Sequence, residues 1–314
     1  MLSQATFLQP FGLADDNAYR RWREWKLDNY PASVADLIVP VGNPGRLTGP
    51  ERHALLARCR KANAAIYTMS RGDVADKSLV RALGRQFGLE RLDMNLRADE
   101  DSISSLCVKP ETEETHYIPY TNRPLNWHTD GYYNSLDEQV RAIVMHCASG
   151  PASGGDNLLL DHEVAYIMLR DANPDYIAAL QQPDAMTIPA NVERGIEIRP
   201  AQTGPVFSLE KDTGALHMRY TARTRSIQWK DDRNTRMAVG FLTELLAGES
   251  ACIFRHRLRA GQGIICNNIL HRREAFSDDP ATGRTRLLYR ARYHDRIRGT
   301  ELTNDYYRES LCSG

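Results

Sequence analysis

From Ser102 onward the chain breaks into short runs of β-branched, aromatic and other apolar residues: Ile103 to Val108, Ala142 to Cys147, Asn157 to Leu160, Val206 to Leu209, Leu216 to Tyr220, Ile253 to Leu258, Ile264 to Cys266 and Thr285 to Tyr293. Such runs read as strands, and strands this short are stable only when several pair into a sheet with a buried face. Turn chemistry separates many of them. Asp212-Thr213-Gly214 reads as a hairpin loop and Ala260-Gly261-Gln262-Gly263 as a second tight connection. Two helices interrupt the series: Asp161 can cap Glu163 to Arg170, and Asn234 to Leu246 carries Met237, Val239, Phe241, Leu242 and Leu245. Many short strands with a few packing helices predict a mainly β fold with flanking helices around a jelly-roll core.

The preceding stretch, residues 1–100, reads as mainly helical and packing on that barrel. Tyr19 to Asp28 sets Trp22, Trp25 and Leu27 among charges, and a capping box of Thr48 with Glu51 opens Pro50 to Ala64. A third helix, near Asp76 to Phe87, puts Leu79, Val80, Leu83 and Phe87 on one apolar face and leaves Arg81 and Arg85 toward water. No repeat, low-complexity tract or Pro/Ser-rich linker divides residues 1–314, so a single domain is expected, with the jelly-roll core and its insert helices at 101–300.

Forty Lys plus Arg balance forty Asp plus Glu, which argues against the basic footprint of a nucleic-acid binder and for a small-molecule partner. No apolar run approaches the ~18 residues of a membrane helix, and the N-terminus lacks the parts of a secretory signal, so a cytoplasmic protein without a membrane partner is expected. The six cysteines are scattered without a Cys-x-x-Cys pair and read as reduced, mostly buried residues. The oligomeric state is open, a homo-oligomer being one outcome.

Of nine histidines, only His128 has an acidic residue two places on, giving His128-Thr129-Asp130. Alternate strand positions would point both side chains to one side. Two imidazoles and one carboxylate on one face of Fe(II) leave the opposite positions open for co-substrate and O2. The pair alone arises about once by chance in a chain of this composition, so context must sort it. His271 follows the strand-like run Gly263 to Asn267 and precedes an arginine-rich strand, the position a distal ligand needs. His256 sits in the alternating stretch Arg255 to Arg259, which reads as a solvated face, and His294 comes after the arginine strand, so His271 ranks ahead of both.

A ferrous site using 2-oxoglutarate must also catch the far carboxylate of that co-substrate, and arginine suits it: a planar fork that makes paired charge-assisted hydrogen bonds and stays charged when desolvated. The run Thr285 to Tyr293 places Arg286, Leu288, Arg290 and Arg292 on one side and Leu287, Tyr289, Ala291 and Tyr293 on the other. At a sheet edge the arginines would simply be solvated. If the apolar face packs outward on the N-terminal helices, they look into the barrel, where anionic partners are needed.

With these residues in place the chain resembles the taurine/2-oxoglutarate dioxygenase family. Asn126-Trp127-His128-Thr129-Asp130 resembles its first metal motif, Gly154-Gly155-Asp156-Asn157-Leu158 its Gly-Gly-Asp-Thr segment, and His271 with Arg286 and Arg290 its C-terminal motif; weaker likeness runs from Ala65-Ile66-Tyr67 to Leu83–Gly88, so it covers roughly residues 60 to 293. The resemblance implies a double-stranded β-helix, Fe(II) on His128, Asp130 and His271, and 2-oxoglutarate anchored by Arg286. It further implies that Asn157, where the family has a threonine, contacts the same carboxylate, and that Arg290 grips an acidic group of the substrate. A longer loop from His271 leaves Arg284 as a rival anchor. Asp93 falls where the taurine enzyme has a substrate-contacting histidine, and a carboxylate there would favour an ammonium or guanidinium. The expectation is therefore an oxygenase that hydroxylates a small, amino-acid-like zwitterion, releasing succinate and CO2. A cupin-like metal isomerase or hydrolase without 2-oxoglutarate would not need Arg286, and a non-catalytic jelly-roll binding module would leave the His128, Asp130 and His271 set as coincidence.

Overall fold

In the computed structural model, residues 10–94, 101–108, 118–223 and 227–302 are described. Ten strands position the site: β1 (Ile38–Val41), β2 (Ala64–Met69), β3 (Ser104–Leu106), β4 (Leu125–His128), β5 (Ala142–Ser149), β6 (Asn157–Leu160), β7 (Phe254–His256), β8 (Gln262–Cys266), β9 (Leu270–Arg273) and β10 (Leu287–Tyr293). Six helices accompany them: α1 (Asp16–Asp28), α2 (Gly49–Ala62), α3 (Leu79–Gln86), α4 (His162–Ala172), α5 (Pro174–Leu180) and α6 (Arg233–Ala247). The chain is mainly β with flanking helices. One sheet runs β1-β2-β8-β5-β10-β3 and a second runs β7-β6-β9-β4; only the β1–β2 pairing is parallel within them.

Three apolar clusters follow from the period of two along these strands. Ile143 and Cys147 of β5, Ile264 and Cys266 of β8 and Leu288 of β10 pack with Leu159 and Phe254 of the second sheet. The alternate residues Val144, Ile265, Tyr289, Ala291 and Tyr293 pack with Leu55 and Cys59 of α2, with Val80 and Leu83 of α3 and with Phe87 at its C-terminal cap. Leu160 and Leu270 lie behind the second sheet, covered by Trp22, by Val164, Tyr166 and Leu169 of α4, and by Ala238 and Leu242 of α6. Each such side chain contributes roughly 1.5–3 kcal/mol by leaving water. The apolar side of β10 therefore packs on the N-terminal helices, and Arg286, Arg290 and Arg292, all buried, occupy the other side with Leu288.

The N-terminal part is less helical than expected, because β1 and β2 extend the six-stranded sheet. The helix opened by Thr48 and Glu51 makes both capping-box bonds but stops at Asn63, whose left-handed φ of 53° turns the chain into β2. The third helix starts at Leu79 because Asp73 and Asp76 spend their carboxylates on local turn amides, Asp73 accepting from Ala75 and Asp76 from Ser78. Helix α5, set off from α4 by Asn173 and Pro174, was not anticipated. Neither was the hairpin of Asn191–Glu193 with Ile196–Arg199, turned by Arg194 and Gly195 at positive φ. Cys59, Cys107, Cys147, Cys252 and Cys266 are free thiols, and Cys312 lies outside the described residues. Among the described residues no helix is long and apolar enough to cross a membrane.

Candidate active site

Strands β4 and β9 are neighbours, and their register sets His128 opposite His271. The two rings lie 4.3 Å apart, centroid to centroid. One ligand atom from each of His128, Asp130 and His271 falls within 4.8 Å of the others, and among the described residues this is the group of His, Cys, Asp and Glu close enough to share one ion. Both imidazoles are aimed the same way. Nδ1 of His128 stands 2.8 Å from the Asn126 carbonyl and Nδ1 of His271 stands 2.9 Å from that of Ile269. A carbonyl only accepts, so each Nδ1 carries the proton and each Nε2 is left with a free lone pair. Burial, with His128 close by, pushes the His271 imidazolium down to about 4, so at neutral pH the ring is uncharged and ready to bind a metal.

Asp130 does not share the pleat of β4 as expected, because that strand ends at His128. Tertiary contacts hold it instead. The Thr129 amide donates to the Tyr220 carbonyl (3.0 Å), and the Asp130 amide donates to Oδ1 of Asn268 (2.8 Å). Gly131 then turns the chain at φ 67°, where a Cβ would collide with Val140. Burial opposes charge on Asp130, yet Arg290, with help from Arg292, holds its carboxyl well below the usual carboxylate range.

Arg290 reaches Asp130 through Nη1, at 3.2 and 3.1 Å from the two carboxylate oxygens, while its buried Nε has no hydrogen-bond partner. Arg286 is buried with Nη1 likewise unpartnered. Burial pushes its guanidinium down to about 10, the mark of a cation short of compensation. Its planar group lies over Phe276, 5.1 Å from the ring centre, with Arg273 over the same ring at 4.9 Å. Arg284 is exposed on the loop before β10 and pairs with Asp279 as an isolated bridge. Asn157 stands opposite both His256 and Arg273, and its amide donates to the His256 carbonyl at 3.4 Å.

Asp93 is neither a free carboxylate nor solvated. It is buried, salt-bridged to Arg292 and hydrogen-bonded by the Asn134 amide at 2.8 Å, with Arg292 also donating to the Tyr133 hydroxyl at 2.9 Å. The expected contact from Asp93 to a substrate ammonium would have to compete with Arg292 on β10, a pairing invisible without the fold. His256 contacts Gln262 and His294 the Gln139 carbonyl, both outside the three-residue group.

The residues not anticipated are Asn268, Tyr132 and Tyr133, and Arg199 with Arg219. The Tyr132 ring stands edge-on to His128 at 6.5 Å and to Tyr133 at 5.1 Å. Arg199 lies 5.8 Å from the Tyr133 ring centre and gives its terminal nitrogens to the Pro189 and Pro200 carbonyls. Arg219 is buried and donates to the carbonyls of Tyr132, Met186 and Gln202; burial, then Arg199, pushes it down to about 10. These two cations meet backbone oxygens where carboxylates would neutralise them. The only sequence signal was Asn267-Asn268, a turn-type dipeptide directly after a buried strand.

A family model described as taurine catabolism dioxygenase TauD, TfdA family, matches residues 71–292. Two relatives named uridine-5'-phosphate dioxygenase are each 29% identical: one from Amycolatopsis over 190 residues (58% of this chain and 66% of that protein), one from Streptomyces over 231 residues (68% and 77%). The chain thus spans about two thirds of the Amycolatopsis protein. PvcB from Pseudomonas aeruginosa is similar in fold, with a TM-score of 0.56 at 17% identity over 85% of this chain and 87% of its own. An asparagine oxygenase solved with Fe(II), 3-hydroxyasparagine and succinate gives 0.54 at 16% identity over 78% and 81%.

Proposed function

The chain belongs to the TauD/TfdA family of iron- and 2-oxoglutarate-dependent oxygenases, and on that premise we propose that it oxidises a small organic anion at an iron held by His128, Asp130 and His271. Residues 1–314 form one domain in this reading, and the two sheets are the halves of a double-stranded β-helix, or jelly roll. The observation that carries the assignment is the convergence of one ligand atom from each of two imidazoles and one carboxylate within 4.8 Å, with both Nδ1 atoms turned to backbone carbonyls. That donor set suits Fe(II) and leaves coordination positions open.

The unpartnered Nη1 of buried Arg286 fits the distal carboxylate of 2-oxoglutarate, and Arg286 rather than exposed Arg284 is its anchor. Asn157, on the second sheet, adds an amide donor to that end. When bound, iron and 2-oxoglutarate supply O2 activation, with CO2 and succinate as co-products. The chain's own work is to orient the imidazoles, hold Asp130 ionised beside Arg290, and bury the carboxylate anchor away from water, where misplacement by about 1 Å costs roughly 100-fold in rate.

For the substrate, Asp93 already pairs with Arg292, which weighs against the cationic half of the zwitterion expectation. The anionic half is kept. Arg290 retains an unpartnered Nε, and Arg199 and Arg219, whose nitrogens donate to backbone carbonyls, add charge around Tyr132 and Tyr133. This balance favours an anion on Arg290, and the two uridine-5'-phosphate dioxygenases support a phosphate ester as the first class to try. The test is anaerobic reconstitution with Fe(II), then succinate release on adding nucleoside monophosphates, amino acids or sulfonates. Succinate formed with an anionic substrate and lost in His271→Ala is expected; turnover unchanged in His271→Ala would overturn the ligand set, and turnover confined to neutral or cationic compounds would overturn the substrate class.

A further inference from the structure

Asp130 lies two residues past the end of β4, where no sheet partner fixes its backbone, and its side chain must still converge on two histidines. The Asn268 side chain takes the place of that partner. Its Oδ1 accepts the Asp130 amide at 2.8 Å and its Nδ2 donates to the Asp130 carbonyl at 2.9 Å and to the Val140 carbonyl at 2.6 Å. A carboxamide has the donor and acceptor of a peptide group, so one side chain pairs with both backbone groups of one residue as a β-neighbour does. The arrangement is buried, where each such bond counts most and an unmade one costs about 1–3 kcal/mol. Asn268 has a φ of 48°, a conformation asparagine tolerates better than most residues, and it lies three residues before His271.

We propose that Asn268 is a positioning residue for metal binding: it locks the Asp130 backbone to the segment that carries His271, so that carboxylate and imidazole keep a fixed separation while both Asp130 oxygens stay free for the metal and Arg290. The inference rests on the ligand set proposed above. It differs from a merely structural role, which is played by Asn63, another buried asparagine at positive φ (53°). The Asn63 amide donates to Asp161 (3.0 Å) and its Oδ1 accepts from Asn267 and Arg296 (both 2.9 Å), with no contact to the three ligands.

The test is Co(II) titration of the full chain, read by visible absorption, in wild type, Asn268→Gly and Asn63→Gly. Glycine keeps the left-handed backbone and deletes only the amide in both. Asn268→Gly is expected to weaken Co(II) binding by about 10–100-fold, the usual cost of losing an outer partner of a ligand, and to shift the absorption bands. Asn63→Gly is expected to lower the melting temperature while binding Co(II) within about twofold of wild type, inside the context-dependence of such contacts. Should Asn268→Gly fold poorly, Asn268→Asp keeps the acceptor toward the Asp130 amide but sets a carboxylate oxygen against two carbonyls, and is expected to show a loss at least as large. Wild-type affinity in either Asn268 variant, or an equal loss in Asn63→Gly, would overturn the inference. A wild-type chain that binds no Co(II) would overturn the ligand set itself, a result distinguishable because the variants would then have nothing to lose.

Discussion

Arg290 meets Asp130 through one nitrogen, Nη1, at 3.2 and 3.1 Å from its two oxygens, while its own buried Nε stays unpartnered. One guanidinium thus holds the Asp130 carboxylate ionised with one nitrogen and keeps a second, buried N–H donor unspent.

Replacing Arg290 by lysine keeps the charge but removes the fork. Arg290→Lys is expected to lower kcat/KM for the substrate by roughly 10–100-fold, the cost of about 1.5–3 kcal/mol for a hydrogen bond to a charged group, with the 2-oxoglutarate KM changing less than about threefold, a margin set by the spread of such single-contact effects. Steady-state succinate release with each reactant varied in turn checks this. A rise confined to the 2-oxoglutarate KM would reassign the residue.

Arg286→Ala is expected to raise the 2-oxoglutarate KM steeply, since deleting one partner of a buried charge pair costs about 2–5 kcal/mol. Exposed Arg284 should tolerate alanine with little change. Paired kinetics on the two variants decide between them, and a reversed order would mean that the loop before β10 is aligned wrongly with the family.

Asp93→Asn strips buried Arg292 of its salt-bridge partner. The loss expected is about 3–5 kcal/mol of stability, because Arg292 cannot regain water. Urea unfolding measures it. Adding Arg292→Met to Asp93→Asn should recover part of the loss, whereas a stable single variant with an altered substrate profile would return Asp93 to a substrate role.

Two buried histidines away from the ligand set predict acid lability. Burial, then His162 and nearby arginines, pushes His217 down to about 3, and burial likewise lowers His162. Folded values below the unfolded value of about 6.5 mean that the native state holds both rings neutral. Their contribution is complete above about pH 6.5 and is lost as the pH falls toward the folded values, at up to about 1.4 kcal/mol per pH unit for each proton taken up only on unfolding. Melting temperature should therefore drop from pH 6.5 to pH 4, and His217→Gln should flatten the slope. An unchanged slope in that variant would exclude His217 as a source.

Much of the site was legible because it depends on local geometry. The alternation of Thr285 to Tyr293 separated the buried arginines from Tyr289, Ala291 and Tyr293, which pack on α2 and α3, since a strand's period of two is fixed by its own backbone. His271 could be ranked over His256 and His294 because chain order alone puts it at a strand just before the arginine run. Asp130 was found for an incomplete reason: the pleat that was to align it with His128 ends two residues too soon.

What only the tertiary structure decided are the pairings between distant segments. The sequence by itself determined which residues are basic, acidic or imidazole and which strand face each occupies, because covalent geometry and side-chain period act over a few residues. Whether Asp93 is free, what Arg290 touches and what holds the Asp130 backbone depend on partners 199, 160 and 138 positions away. A buried charge takes whichever opposite charge or dipole the packing brings within hydrogen-bond reach, and that choice exists only once the sheets have closed.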